Sequence, residues 1–287
     1  MQAQELLLGN GSTQLIYLLC RALRPRDAVI VGPAFSEYAN VLKLVNSKIR
    51  VISLDAESGF EFSSEKFLAA SQPNEELTII TTPNSVTGRL IPRAEIEKIV
   101  RSARVRRKFI VVDETFIDFV ETHSVKELVR DNPYLVVMRS LTKYYALPGL
   151  RIGYLLGNAQ RMEQLAAYLE PWSVNAPAQK VAAVCLDDKG FRSKTESWLK
   201  KERAFLSQEL SALKAFYVYE SVTNFLLVRI EHDQGDARKL RSFLLGKKIL
   251  IRSCESFTSL GPRYFRIAVR RRKENRRLLA VLREWSA

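Results

Sequence analysis

The chain has 287 residues, of which 47% are hydrophobic, and it carries a formal net charge of +14. This length and apolar content predict one large folded domain with a smaller one, and exclude a disordered chain. No apolar run approaches the ~20 residues needed to span a bilayer, and the N-terminal residues lack the basic and apolar regions of a signal peptide. We therefore expect a cytoplasmic protein without a membrane partner.

The basic residues cluster at 101–108 and 270–277. Such clusters can bind nucleic acid, an anionic surface or an acidic small ligand. Neither is interleaved with aromatic residues as in a groove for single-stranded nucleic acid, so we interpret both as solvated surfaces and expect no nucleic-acid partner. The 3 cysteines are far apart in the sequence and there are only 2 histidines, which predicts reduced thiols and no metal site.

Short runs rich in valine and isoleucine recur in the first half of the chain, and helical patterns precede and separate them. The runs predict strands buried on both faces, and their alternation with helices predicts a mostly parallel sheet, an α/β fold. The predicted strands are 28–31, 49–53, 77–81, 109–113 and 134–138, and the predicted helices are 13–24, 36–45, 63–70 and 93–103.

The pattern changes after about residue 158. Helices and strands then mix without regular alternation, which predicts a smaller α+β domain. We place the boundary inside a long helix, giving domains 1–195 and 196–287. The predicted helices of this half are 159–168, 177–187, 191–213, 236–245 and 273–285, and its predicted strands are 224–229, 248–251 and 264–269.

Polar residues follow several predicted strands of the larger domain. Ser85 follows one strand, Asp113 ends the next, and Ser140 and Lys143 follow another. Ligands of open α/β sheets bind outside the carboxyl ends of the strands, so we predict a single site there.

Two of these residues can carry chemistry. The amine of Lys143 attacks carbonyl carbon when it is unprotonated, and neighbouring cations such as Arg139 and Arg151 favour that state. A surface loop lysine is the alternative and is favoured for Lys143 considered alone. Asp113 can keep a pyridine nitrogen protonated, or it can be an ordinary polar group at a strand end.

Three further features favour anionic ligands. The turn before the first helix has Gly11 for close backbone approach, and Ser12 and Thr13 with N–H groups and hydroxyls at the helix N-terminus. A simple helix cap is the alternative. Arg252 stands at the end of one strand predicted for the smaller domain and Arg266 lies within another. Both need anionic partners; a ligand and a structural ion pair both remain open.

Taken in order, these segments resemble the fold-type I enzymes that use pyridoxal phosphate (PLP), in the branch with histidinol-phosphate aminotransferase and threonine-phosphate decarboxylase. The resemblance covers nearly the whole chain. It implies the fold-type I transferase fold, bound PLP, a small phosphorylated amino-acid substrate and a homodimer. The motifs that carry it are the Gly-Asn-Gly-Ser-Thr turn, Pro33-Ala-Phe35, Pro83-Asn-Ser-Val-Thr-Gly88, Asp113-Glu-Thr-Phe116, Ser140-Leu-Thr-Lys143 and Arg151.

Three stretches look closer to the decarboxylase than to the aminotransferase: 139–151, 171–176, and 249–254 together with 263–270. The resemblance therefore implies decarboxylation of L-threonine O-phosphate to aminopropanol phosphate for cobalamin synthesis. Two alternatives stay open: an aminotransferase acting on histidinol phosphate or a similar amino acid, and a truncated PLP-binding protein without activity.

The resemblance also implies a role for each site residue. Lys143 is the Schiff-base lysine, and Asp113 pairs with the pyridinium nitrogen. The cofactor phosphate is held by the Gly11 turn, Ser12, Thr13, Ser140 and Arg151; Phe35 stacks on the ring; Ser85 contacts the phenolic oxygen and the substrate; Arg266 binds the substrate carboxylate and Arg252 its phosphate.

The sequence departs from the family pattern in two ways. Ser85 stands where relatives have asparagine, and Phe116 where many have tyrosine. Each lost neutral hydrogen bond is worth ~0.5–1.5 kcal/mol, so we expect cofactor binding to survive. Relatives also carry an N-terminal arm before the Gly-Asn-Gly turn that covers the active site, and we expect this chain to lack it.

Overall fold

The computed structural model describes residues 2–231 and 235–286. Its larger sheet contains seven strands in the order β1-β7-β6-β5-β4-β2-β3. Strands β2 to β6 are parallel to one another, whereas β7 runs antiparallel to both of its neighbours. These strands are β1 (Leu6–Gly9), β2 (Asp27–Gly32), β3 (Lys48–Ser53), β4 (Leu77–Thr81), β5 (Phe109–Asp113), β6 (Leu135–Ser140) and β7 (Gly153–Gly157).

Helices cover both faces of this sheet, and the strands alternate their side chains between two cores. In β5, Val111 belongs to one core, whereas Ile110 and Val112 belong to the other. Burial on both faces explains the continuous apolar runs. The first core includes α1 (Gly11–Leu23), α2 (Ser36–Leu44) and α5 (Ala159–Ala166), and the second includes α3 (Ser64–Ala70) and α4 (Arg93–Arg106).

The smaller sheet is antiparallel, in the order β10-β11-β9-β8. Its core includes Leu206, Leu240, Phe265 and Leu279. Its strands are β8 (Phe216–Val218), β9 (Phe225–Ile230), β10 (Arg252–Ser253) and β11 (Tyr264–Ala268). The remaining helices of the chain are α6 (Ala176–Asp187), α7 (Lys189–Ser211), α8 (Ala237–Gly246) and α9 (Arg272–Ser286).

The predicted α/β class, with its mostly parallel sheet and smaller C-terminal α+β region, is confirmed. Strands β1, β7 and β8 were not predicted, because they are short and two of them contain glycine. The strand predicted at 248–251 is wrong. Lys248 has a left-handed φ of 59°, and the N–H of Ile249 donates back to Leu244 O at 2.9 Å, so the strand begins only at Arg252.

The domain boundary predicted at residue 195 falls inside α7 and stays a prediction. Within residues 2–231 and 235–286, no helix combines the length and the apolar character that crossing a membrane requires.

Candidate active site

A cavity of about 280 Å³ opens where the carboxyl ends of β4, β5 and β6 meet the N-terminus of α1. The smaller sheet closes its other side with β10 and β11. Of the predicted site residues, Gly11 and Ser140 do not line the cavity. The predicted residues that line it are Ser12, Thr13, Phe35, Ser85, Asp113, Lys143, Arg151, Arg252 and Arg266.

Asp113 is buried at the end of β5, and both of its carboxylate oxygens accept hydrogen bonds. Oδ1 accepts from the backbone N–H of Thr115 at 2.8 Å and from its hydroxyl at 2.5 Å. Oδ2 accepts from the hydroxyl of the buried Tyr38. Burial raises the pKa of Asp113, while these hydrogen bonds and the charge of Lys143 act in the opposite direction. The carboxylate is thus fixed in orientation and faces the cavity.

Lys143 projects into the same cavity from the loop after β6. Partial burial by the cavity walls lowers the pKa of its amine, the charges of Arg266 and Arg151 lower it further, and Asp113 opposes the shift. A lowered pKa increases the fraction of neutral amine, which is the nucleophilic form.

The backbone of this lysine is held from both sides. Before it, the Ser140 hydroxyl is 2.9 Å from the Thr142 hydroxyl and accepts from the Thr142 N–H at 3.3 Å, so Ser140 shapes the turn. After it, Tyr144 and Tyr145 are buried in a cluster with residues of α6. The ring of Tyr145 also stacks on Phe191 of α7, with 5.8 Å between the centroids.

The N-terminus of α1 and Arg151 form an anion cradle. Gly11 has a φ of +74°, and a Cβ atom there would lie only 2.5 Å from Arg151 Nη2. Any larger residue would therefore displace the guanidinium. Ser12 and Thr13 add hydroxyls and N–H groups beside it, which suits a phosphate.

The two arginines of the smaller sheet meet across its edge. Arg252 on β10 lies directly opposite Arg266 on β11. Like charges in that position repel each other. In the part of the chain that the structure describes, neither guanidinium pairs with a carboxylate: Arg266 donates to Ser85 O, and Arg252 donates to Ser256 Oγ at 3.2 Å. The pair therefore offers unneutralised positive charge to an anionic ligand.

Aromatic rings hold Arg266 in place. Its guanidinium lies over Phe225 at 4.7 Å and over Phe257 at 5.4 Å from the ring centroids. Burial lowers the pKa of Arg266. A half-buried guanidinium without a carboxylate gains most from an anion placed against it.

Ser85 has a buried hydroxyl with no hydrogen-bond partner among the residues described, and the residue lines the cavity. A native buried hydroxyl normally has a partner, so this one is available to a ligand. The neighbouring Asn84 is instead used within the loop: its amide donates to Pro33 O at 2.8 Å and accepts from the N–H groups of Val86 and Thr87 at 2.9 Å.

Sequence reasoning missed Tyr38, Thr115 and Phe257. Spacing could have indicated two of them. Tyr38 lies one helical turn after Phe35, on the same face, and Thr115 stands two residues after Asp113, where an aspartate side chain commonly accepts a backbone hydrogen bond. Phe257 belongs to a loop, and no local pattern indicates its contact with the arginines.

Comparisons with known proteins are consistent with this geometry. The family model described as aminotransferase class I and II matches residues 1–282. The chain is 39% identical to the threonine-phosphate decarboxylase of Salmonella typhimurium, covering 98% of this chain and 77% of that protein. It is 28% identical to the adenosylcobalamin biosynthesis bifunctional protein of Leptospira interrogans, over 96% of this chain and 32% of that protein. The crystal structure of the histidinol-phosphate aminotransferase from Clostridium acetobutylicum matches with a TM-score of 0.91 at 28% identity, covering 98% of this chain and 84% of that one.

Proposed function

The chain belongs to the aminotransferase class I and II family, whose cofactor is PLP, and from this premise we propose that it decarboxylates L-threonine O-phosphate to aminopropanol phosphate for cobalamin biosynthesis. The observation that carries the proposal is the convergence of Lys143, Asp113 and the Arg252–Arg266 pair on one cavity. The identity of 39% to a threonine-phosphate decarboxylase supports the choice of reaction.

The cavity residues fit PLP part by part. The Gly11–Arg151 cradle suits the cofactor phosphate, and the fixed carboxylate of Asp113 suits a protonated ring nitrogen. The unpartnered hydroxyl of Ser85 suits the phenolic oxygen, and Phe35 supplies an aromatic surface on the cavity wall. When bound, PLP withdraws electrons from the bond that breaks at the substrate Cα.

The residues of the chain bind and orient the cofactor and the substrate, and they hold or transfer protons. The neutral amine of Lys143 would hold PLP until the substrate amine replaces it. Asp113 would keep the proton on the ring nitrogen. Arg266 binds the substrate carboxylate and Arg252 the substrate phosphate. After CO₂ leaves, Cα needs a proton, and Lys143, in the same cavity, is the group that we assign to deliver it.

A second candidate is transamination of histidinol phosphate or a related amino acid. The match to a histidinol-phosphate aminotransferase favours it, at 28% identity. The same residues would serve either reaction, because both would begin with the substrate amine in place of the Lys143 amine on the cofactor. We also propose, from family membership, a cytoplasmic homodimer.

The direct test uses PLP-loaded protein and carboxyl-labelled L-threonine O-phosphate. We expect labelled CO₂ and an equal amount of aminopropanol phosphate. L-threonine without the phosphate serves as the control and should react far more slowly. Conversion of the bound cofactor to pyridoxamine phosphate without CO₂ would favour the aminotransferase, and no reaction by folded, loaded protein would refute both.

The charge of Arg266 should control the pH at which Lys143 captures PLP. Burial, then Arg266 and Arg151, lower the pKa of Lys143 below its usual 10.5. Arg266→Gln removes one cation, so the pKa of Lys143 should rise and the rate of PLP capture, followed at its visible absorbance, should require a higher pH. Arg252→Gln is the matched control and should leave the profile in place. If the rate of PLP capture by Arg266→Gln depended on pH as in the wild type, Arg266 would not lower the pKa of Lys143.

A further inference from the structure

A second compartment of about 460 Å³ adjoins the cofactor cavity and shares Phe116, Lys143, Arg252 and Arg266 with it. Its other walls come from the start of β9, the end of β11 and the residues before β10. Helix α8 contributes Arg241. A ligand whose amine lies at Lys143 can therefore extend past the arginine pair towards α8.

The charge of this compartment is entirely positive. Arg241, Arg252, Arg266 and Lys143 line it, and none of its lining residues is acidic. An uncompensated group of cations next to a cavity favours an anion with more than one charge.

Among the described residues, Arg241 shares the lack of a carboxylate partner with Arg252 and Arg266, and differs in this from two arginines outside the compartment. Arg238, on the same helix, pairs with Glu255, and Arg229 on β9 pairs with Glu57 and with Glu231. Arg241 has no carboxylate within ion-pair distance in the ranges 2–231 and 235–286. Its exposed side chain is free to bind a ligand at the mouth of the compartment.

The rest of the wall restricts what the ligand can be. Phe225, Ile251 and Ile267 are buried and apolar, and Asn224 adds one amide. Such a surface packs against a short carbon chain, while the guanidinium groups bind phosphate through paired N–H donors. A phosphate monoester of a small carbon skeleton meets both requirements.

We propose that Arg241 is a specificity-determining residue, which binds the phosphate end of the substrate together with Arg252. The ligand class is a dianionic phosphate monoester whose amine and carboxylate lie at Lys143 and Arg266. The inference rests on the proposed function for the position of that amino-acid end. It assigns to α8 the discrimination between phosphorylated and unphosphorylated amino acids.

The test measures binding by calorimetry on PLP-loaded protein, in which the cofactor phosphate already occupies its own cradle. Isopropyl phosphate is the probe, since it carries the phosphate ester but has no amine to react. Arg241→Gln should weaken its binding about fivefold to tenfold, because solvent exposure of Arg241 reduces the contribution of its charged hydrogen bond. Lys239→Gln, an exposed neighbour on α8 outside both cavities, should bind it as the wild type does.

Three results would overturn the inference: equal binding by Arg241→Gln and wild type, equal losses in Arg241→Gln and Lys239→Gln, or no binding by the wild type. CO₂ release from L-threonine O-phosphate is measured on the same preparations. If Arg241 binds the substrate phosphate, Arg241→Gln should raise the KM for L-threonine O-phosphate while kcat changes little. Turnover of unphosphorylated L-threonine by this variant should match that of the wild type. A wild type that binds isopropyl phosphate through Arg241 but releases no CO₂ would refute the proposed reaction and leave the phosphate site standing.

Discussion

Replacing Lys143 with alanine is expected to abolish the visible absorbance of bound PLP and to reduce CO₂ release to the background rate. The side chain supplies the amine that holds the cofactor and, in our proposal, the proton that reaches Cα. Both functions end with its removal, and a loss of about 10³-fold or more in kcat is expected for a nucleophile of this kind. Absorbance spectra and labelled CO₂ measure the two effects separately.

The fold should survive this change, because Lys143 opens into the cavity and its backbone is held by the Ser140–Thr142 turn and by Tyr144 and Tyr145. Lys180→Ala, which alters an exposed lysine on α6, is the control and should keep both absorbance and activity. A visible band that persists in Lys143→Ala would mean that another amine holds the cofactor.

Asp113→Asn should cause the second large loss of catalytic activity. A neutral amide does not hold a proton on the ring nitrogen, so the bound cofactor withdraws electrons poorly, and kcat should fall roughly 10²- to 10³-fold, the scale of one well-placed electrostatic group. Tyr38→Phe keeps the carboxylate and removes one of its hydrogen bonds. Its loss should be about tenfold or less. If Asp113→Asn kept more activity than Tyr38→Phe, Asp113 would not be the partner of the ring nitrogen.

Asp113→Asn should also change how the stability of the cofactor-free protein depends on pH. Burial raises the pKa of Asp113 in the folded state above its usual 3.8. Between pH 3.8 and this raised pKa, the folded state therefore binds more protons than the unfolded chain. The wild type therefore loses stability as the pH rises from 3.8 through the folded pKa. Asp113→Asn lacks this loss, and urea unfolding should show its stability relative to wild type increasing with pH. A difference independent of pH would contradict the raised pKa.

The sequence was most informative at the carboxyl ends of the larger sheet. Asp113 and Lys143 follow runs that are apolar because both faces of β5 and β6 are buried, so their position at the rim could be inferred from strand patterns alone. The order of the motifs then identified the family. Periodicity and turn chemistry are local, and this part of the site is built from local features.

The region of the smaller sheet was harder to predict. No local pattern brings Arg252 opposite Arg266, because β10 and β11 are joined by the irregular residues 254–263, and their register depends on how that connection packs. The strand predicted at 248–251 was wrong because the left-handed Lys248 turns the chain and the N–H of Ile249 donates back to Leu244 O of α8. Tyr38 and Arg241 lie on helices whose facing elements are distant in sequence, so their contacts depend on tertiary packing.

The site combines residues from two sheets: in our proposal, those from the larger sheet hold the cofactor, and those from the smaller sheet bind the substrate. Asp113 ends a strand of the larger sheet and Lys143 lies in the loop after another, whereas Arg252 and Arg266 come from the smaller sheet, with Arg241 on α8 beside it. Arg266 and Arg151 are the cations that shift the pKa of Lys143, whereas Arg241 and Arg252 are not among the causes of that shift. Substrate preference can therefore diverge during evolution by changes in α8 and β10, while the bond-breaking apparatus is inherited intact. An engineer seeking a new amino-acid phosphate as substrate would confine a mutant library to those two elements.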